Sequence, residues 1–225
     1  VIGFRSFGED PDNVARKGAA YALAMQNNGV LPSMKHFPGH GNTVTDSHYA
    51  LPIVKNSLEE INKIELLPFK YLIDNGVKGA MVGHLYFPAL EPVVNKSSSL
   101  SKNIVTDLLR NEMNYDGIIF TDGLEMKAAY NGIDPDSVCL QAIMAGNDIM
   151  LLPIDVEASM QIVIDAAEKD NEVKNRVEES CKKILRHKYQ LGLNNYESQS
   201  VERLNNDLHQ SRYYNLKQRL YNEAI

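Results

Sequence analysis

The densest run of reactive side chains is KHFPGHG at 35–41, followed closely by TDSH at 45–48. Pro38, Gly39 and Gly41 keep this stretch from continuing as a strand or winding into a helix, so His40 and His48 ride on a glycine-hinged loop. Asp46 and His48 are two positions apart, near enough on a turning loop for the carboxylate to accept a hydrogen bond from one imidazole nitrogen. Such a contact orients the ring and favours its protonated form, which suits it to general acid work near neutral pH. An isolated Asp-x-His reads more simply as a turn-capping Asp beside a surface histidine. Beside KHFPGHG the chemical reading gains the upper hand.

A second candidate is Asp122 in GIIFTDGLEM. After a buried strand of Ile and Phe, an Asp at the carboxyl end faces the mouth of a parallel sheet, where an ionised oxygen can attack an electrophilic carbon. The competing reading is a cap for a helix beginning at Leu124. Glu125 is a rival carboxylate, placed inside the following turn. Lys35 and His36 stand where a strand meets its loop, and Arg5 in RSFGEDP offers paired donors from the loop before the first helix. His84 in GHLYFPAL ends another strand on the same side, as a supporting or core histidine.

The elements that position these groups follow a repeating rhythm. Asp10 with Pro11 opens a helix whose inward face is read as Val14, Gly18, Tyr21, Ala22 and Met25, with Gly29 as its stop. Strands are expected at 30–37, 79–85, 117–122 and 148–152, and the first residues read as the end of a further strand. Between them, Ser57 and Glu60 form a capping box for a helix running toward Gly76 with a kink at Pro68, and Ser101 opens another with Ile104, Val105, Leu108 and Leu109 inward. Helices are expected near 136–145 and over 156–169 and 172–191. Strands alternating with helices imply parallel pairing, and near-continuously apolar strands ending in Gly-rich loops suit a barrel better than an open sheet.

An eight-stranded barrel takes about 250 residues, whereas four strands are legible here. The expectation is therefore an α/β fold, the C-terminal half of a (β/α)8 TIM-type barrel truncated at the N-terminus, over residues 1–193. A helical linker toward a further domain is expected over 194–225, a stretch rich in Asn and Gln. The missing half of the barrel, or a swapped copy, would be needed to cover the open edges.

Bulk composition narrows the function classes. With 44% hydrophobic residues the 225-residue chain can bury a core, and a net charge of -6 with scattered Lys and Arg lacks the basic footprint of a nucleic-acid groove. No apolar run is long enough for a membrane span, and no signal peptide is legible, so localisation stays open. Cys139 and Cys181 sit in apolar helical patterns and read as core residues rather than a disulfide.

Taken together, RSFGEDP, KHFPGHG, DSH at 46–48, the strand ending in His84 and TDGLEM resemble glycoside hydrolase family 3, and the Asp-Ser-His triplet resembles its β-N-acetylglucosaminidase (β-hexosaminidase) branch. The resemblance covers 1–193. It implies a retaining exo-hydrolase acting on β-linked N-acetylglucosamine, with Asp122 as nucleophile and His48, oriented by Asp46, as acid/base. It further implies Arg5, Lys35 and His36 as sugar-binding residues, His40 and His84 as supporting ones, and no metal or organic cofactor. Asn42 after GHG and Gly123 after the nucleophile depart from the family's usual residues. A sugar-binding Asp that the family supplies from an earlier loop lies outside this chain, so the chain alone is expected to be inactive. Three alternatives stand beside this reading: a phosphorylase using the same glycosyl-enzyme, another β-glycosidase of the family, and a zinc hydrolase built on His36, His40, Asp46 and His48.

Overall fold

The computed structural model describes residues 2–43, 45–47, 49–130, 132–197 and 201–223. These divide into two compact units, Val1–Leu191 and Gly192–Ile225.

The first unit opens with a single 3-10 turn, Gly3–Arg5, rather than a strand end. Helix α1 spans Pro11–Asn27, with Pro11 in its first turn and the Asp10 carboxylate accepting from the Asn13 N–H at 2.8 Å. Its buried seam is Ala15, Ala19 and Ala22, not the larger residues of the expected face, and Tyr21 is 62% exposed. The methyl-sized seam lets α1 lie close against a later helix, where the position of Gly18 faces Leu72. Gln26 ties its end to the next layer, donating to the Gly76 carbonyl at 3.0 Å and accepting from the Lys78 N–H at 3.0 Å.

Strand β1 is Met34–Phe37, shorter than expected because residues 30–33 pair with nothing in the sheet. The next helical stretch is two helices, α2 (Leu58–Lys63) and α3 (Leu66–Asp74). The capping box of Ser57 and Glu60 is present. The break falls at Ile64–Glu65 rather than at Pro68, since a proline ring clashes with the carbonyl four residues before it. Strand β2 (Gly79–Val82) follows, then a helix over Asn103–Glu112 wound with i→i+5 bonds and burying Ile104, Val105, Leu108 and Leu109. Strand β3 is Ile118–Gly123, with a short helix α4 at Lys127–Tyr130 and α5 at Val138–Ala145. Strand β4 (Ile149–Leu151), α6 (Val156–Lys169) and α7 (Asn171–Gln190) complete the unit, and Gly192, at φ 76°, terminates it.

The four strands form one parallel sheet in the order β1-β2-β3-β4. Because Val82 lies beside both Phe37 and Thr121, the carboxyl ends are level and their loops share one rim. One face is sealed by helices: Ala80, Val82, Ile119 and Thr121 are fully buried. On the other, Lys35 is exposed, and Met81, Phe120, Asp122 and Ile149 are half-buried. A sheet sealed on its outer face and open on its inner one has the layering of part of a parallel α/β barrel.

Cys139 is buried as expected, but Cys181 lies on the exposed side of α7. The second unit contains α8 (Leu204–Leu208) and α9 (Ser211–Glu223). Among the described residues, no helix is long and apolar enough to cross a membrane.

Candidate active site

Asp122 is the fifth residue of β3 and sits on its open face at the carboxyl end. The helix after it begins only at Lys127, so Asp122 is not that helix's cap, and its Oδ1 accepts from the Gly123 N–H at 2.9 Å. A cavity of about 240 Å³ opens in front of it, lined by Arg5, Lys35, His36, His40, Asp46, Ser47 and Asp122. Five of these are expected site residues drawn from four separate stretches of chain, and His40 was expected in a supporting place. His48 lies outside the described residues.

His36 is 8% exposed, and its Nε2 stands 3.7 Å from Asp122 Oδ2, close enough for charge to be felt but long for a hydrogen bond. Burial pushes the His36 ring down to about 4, with Asp122 opposing and Lys35, His40 and Arg5 reinforcing, so it is neutral near pH 7. Its ring meets that of His40 edge-on, with centroids 5.6 Å apart.

The His40 tautomer follows from its neighbours. Thr43 donates its only hydroxyl proton to the His40 carbonyl at 3.0 Å, so Thr43 Oγ1 must accept from His40 Nδ1–H at 2.6 Å. Nε2 is then free to accept from the Ser47 hydroxyl at 3.4 Å. Burial lowers this ring's proton affinity as well. His40 thus stitches the start of the loop to Ser47, the residue between Asp46 and His48. Ser47 lies inside the DSH triplet, yet nothing about a serine there signals a cavity-facing role until His40 is placed beside it.

His84 does not reach the cavity. It is completely buried behind β3, donating from Nε2 to the Gly123 carbonyl at 2.9 Å and accepting at Nδ1 from the Ser99 hydroxyl at 2.8 Å. Burial keeps it neutral. It clamps the backbone immediately after Asp122, with Ser97 in turn 3.1 Å from Ser99. The serine cluster is a positioning element that sequence reading passed over, because three adjacent serines look like a solvated loop.

Among the described residues, no group of three or more His, Cys, Asp or Glu converges in a way that could hold a metal ion. The arrangement instead sets one carboxylate at a strand tip beside neutral imidazole and cationic donors across an open space. That geometry suits attack on a neutral, hydroxyl-rich molecule.

Residues 1–187 match the profile of the glycosyl hydrolase family 3 N terminal domain. The chain belongs to that family. It is 35% identical over 210 residues to β-hexosaminidase A of Pseudoalteromonas piscicida, covering 85% of this chain and 35% of that protein. With a β-hexosaminidase of Nitrosomonas eutropha it shares 34% identity over 163 residues, 72% of this chain and 46% of the relative. In three dimensions it resembles a glycoside hydrolase family 3 β-N-acetylglucosaminidase from Paenibacillus sp. str. FPU-7, at TM-score 0.84 and 35% identity, over 90% of this chain and 39% of that one. The chain therefore spans between a third and a half of the length of these relatives. The sheet and its helices are part of the family's barrel domain.

Proposed function

We propose that the protein containing this chain is a retaining exo-glycosidase that removes β-linked N-acetylglucosamine from the non-reducing end of a saccharide. The observation that carries the reading is the Asp122 carboxylate at the tip of β3, opening into a cavity shared with Arg5, Lys35, His36 and Asp46. The names of the family relatives supply the sugar.

Asp122 attacks the anomeric carbon. The glycosidic C–O bond breaks, and the departing oxygen takes the proton of His48, which Asp46 orients. Water then attacks the anomeric carbon, giving its proton to His48 as the bond to Asp122 breaks. Neutral His36 donates to a sugar hydroxyl without adding a third positive charge beside Arg5 and Lys35. His84 holds the Asp122 backbone in place through Gly123. No cofactor enters either step.

In this reading the four strands are completed by the rest of an eight-stranded barrel, supplied by the same polypeptide or by a swapped copy. Residues 194–225 are the helical link to a further domain. Isolated from those parts, the chain is inactive.

Two displacements return the sugar with its original configuration. Proton NMR of the full-length protein cleaving an aryl β-N-acetylglucosaminide should therefore show the β-anomer first. Initial release of the α-anomer would overturn the covalent route, and accumulation of a sugar 1-phosphate in phosphate buffer would replace hydrolysis by phosphorolysis.

A further inference from the structure

Glu65 has no part in the chemistry above, yet it is one of the more unusual side chains in the fold. It occupies the elbow between α2 and α3, is 7% exposed and makes no capping bond to α3, so helix capping does not explain it. Its Oε1 accepts from Asn56 Nδ2 at 3.0 Å, while Oε2 is buried without a hydrogen-bond partner. Burial raises its proton affinity, with Glu60 adding to the effect against one opposing backbone hydrogen bond.

What lies on the other side of Glu65 is the KHFPGHG loop. Gly39 has φ +146°, and a Cβ placed there would fall 2.7 Å and 2.8 Å from Glu65 Cβ and Cγ. The loop backbone thus rests directly on the Glu65 stem, in a conformation only glycine adopts readily. A second tether joins the same two elements: Asn42 Nδ2 donates to Asn56 Oδ1 at 3.1 Å. Glu65, Asn56 and Asn42 therefore form a continuous relay from the helical elbow to the root of the loop, four residues before Asp46.

We propose that Glu65 and Asn56 are positioning residues that hold the root of this loop, through Gly39 and Asn42, so that Asp46 and His48 meet the leaving-group oxygen. The inference rests on the acid/base role of His48 given above. Asn42, the departure from the family's usual residue, is in this chain the loop's own handle on the relay.

A leaving group that departs readily without a proton does not need a well-placed acid, whereas a sugar leaving group does. The test uses full-length protein with two substrates, dinitrophenyl β-N-acetylglucosaminide and the β-1,4-linked N-acetylglucosamine disaccharide. For Asn42→Ala and Asn56→Ala, kcat/KM on the disaccharide should fall about 10- to 100-fold, while that on the dinitrophenyl glycoside changes by less than about threefold. Glu65→Gln, which keeps the shape and the accepting oxygen, should retain activity on both within about threefold. Asn42 is exposed, so its variant reports even if substitutions at Glu65 or Asn56 disturb folding. Folded Asn42→Ala protein that loses both substrates equally, or neither, would overturn the positioning role while leaving the Asp122 mechanism intact. Undiminished turnover by an Asp122→Asn control would overturn both.

Discussion

The two ends of the sheet use charge in opposite ways. At the amino end, Asp148 enters β4 with its side chain sealed from solvent, bonded to Arg110, to Arg176 at 3.0 Å, to the Ser180 hydroxyl at 2.9 Å and to the Ile119 N–H at 2.9 Å, with Lys183 at 3.5 Å. Burial alone would raise its pKa, but Arg110, Lys183, the Ile119 N–H and Arg176 outweigh that and hold it below the usual carboxylate range. Arg110 and Arg176 also bind the carbonyls of Tyr115, Gly117, Gly146 and Asn147, joining β3, β4, α7 and the helix Asn103–Glu112. At the carboxyl end, the buried histidines stay neutral, and Arg5, Lys35 and Asp122 face open space. One end saturates its charges internally and stabilises. The other leaves donors and a carboxylate available to a ligand.

The sharpest way to break this contrast is to neutralise one carboxylate at each end. Asp122→Asn should lower kcat of the full-length protein by roughly a thousandfold or more, with little change in thermal midpoint. Asp148→Asn should do the reverse. Stranding three buried or half-buried cations costs about 3–5 kcal/mol, a fall in Tm on the order of 10 °C, while kcat at temperatures where the protein stays folded is nearly unchanged. A catalytic collapse without destabilisation in Asp148→Asn would erase the division of labour.

Acid titration separates the ends by a smaller margin. His36, His40 and His84 all hold protons less readily when folded than the ordinary imidazole, mainly through burial. Between about pH 6.5 and about 4 the unfolded chain binds protons that the folded one refuses, so stability should decline as pH falls through that window, by up to about 3 kcal/mol from His36 alone. Glu65 works the other way, since its raised pKa makes acid slightly favourable to the fold. Asp148 adds a loss only below about pH 4, where the unfolded carboxylate takes up its proton. Chemical denaturation at stepped pH should thus show two declines, and replacing His36 with Gln should shrink the first alone. Smallest of all, Ser57→Ala should cost about 1 kcal/mol by removing the cap of α2, with kcat held, because Ser57 belongs to neither end.

Much of the carboxyl end was legible in the sequence, because its residues sit in short motifs. KHFPGHG and TDGLEM each place a reactive group next to the Gly or Pro that ends its strand or hinges its loop, and TDSH follows a few residues after Gly41. The four strands and the bounds of α6 were also readable from the alternation of apolar runs and helical stretches, and the structure adds Asp155 as the cap of α6. The amino end was not. Asp148, Arg110, Arg176 and Lys183 are scattered through the sequence and meet only when β4 lies beside β3 with α7 behind it. Tyr21 misled because a large apolar residue outweighs alanines in a helical pattern, whereas α1 needs methyl groups to approach α3. Glu65 looks like any acidic residue in a charged helix until the chain bends beneath Gly39. Pro68 pointed to the right helix but the wrong residue, since its ring acts on the carbonyl one turn earlier.

The central claim is a covalent bond between sugar and Asp122. Full-length protein incubated with a fluorinated N-acetylglucosaminyl donor that is turned over slowly, then digested and analysed by mass spectrometry, tests it directly. The account predicts one sugar on the peptide containing Asp122, absent from Asp122→Asn. A sugar on Glu125 or another residue, or an active enzyme that never acquires one, would contradict it.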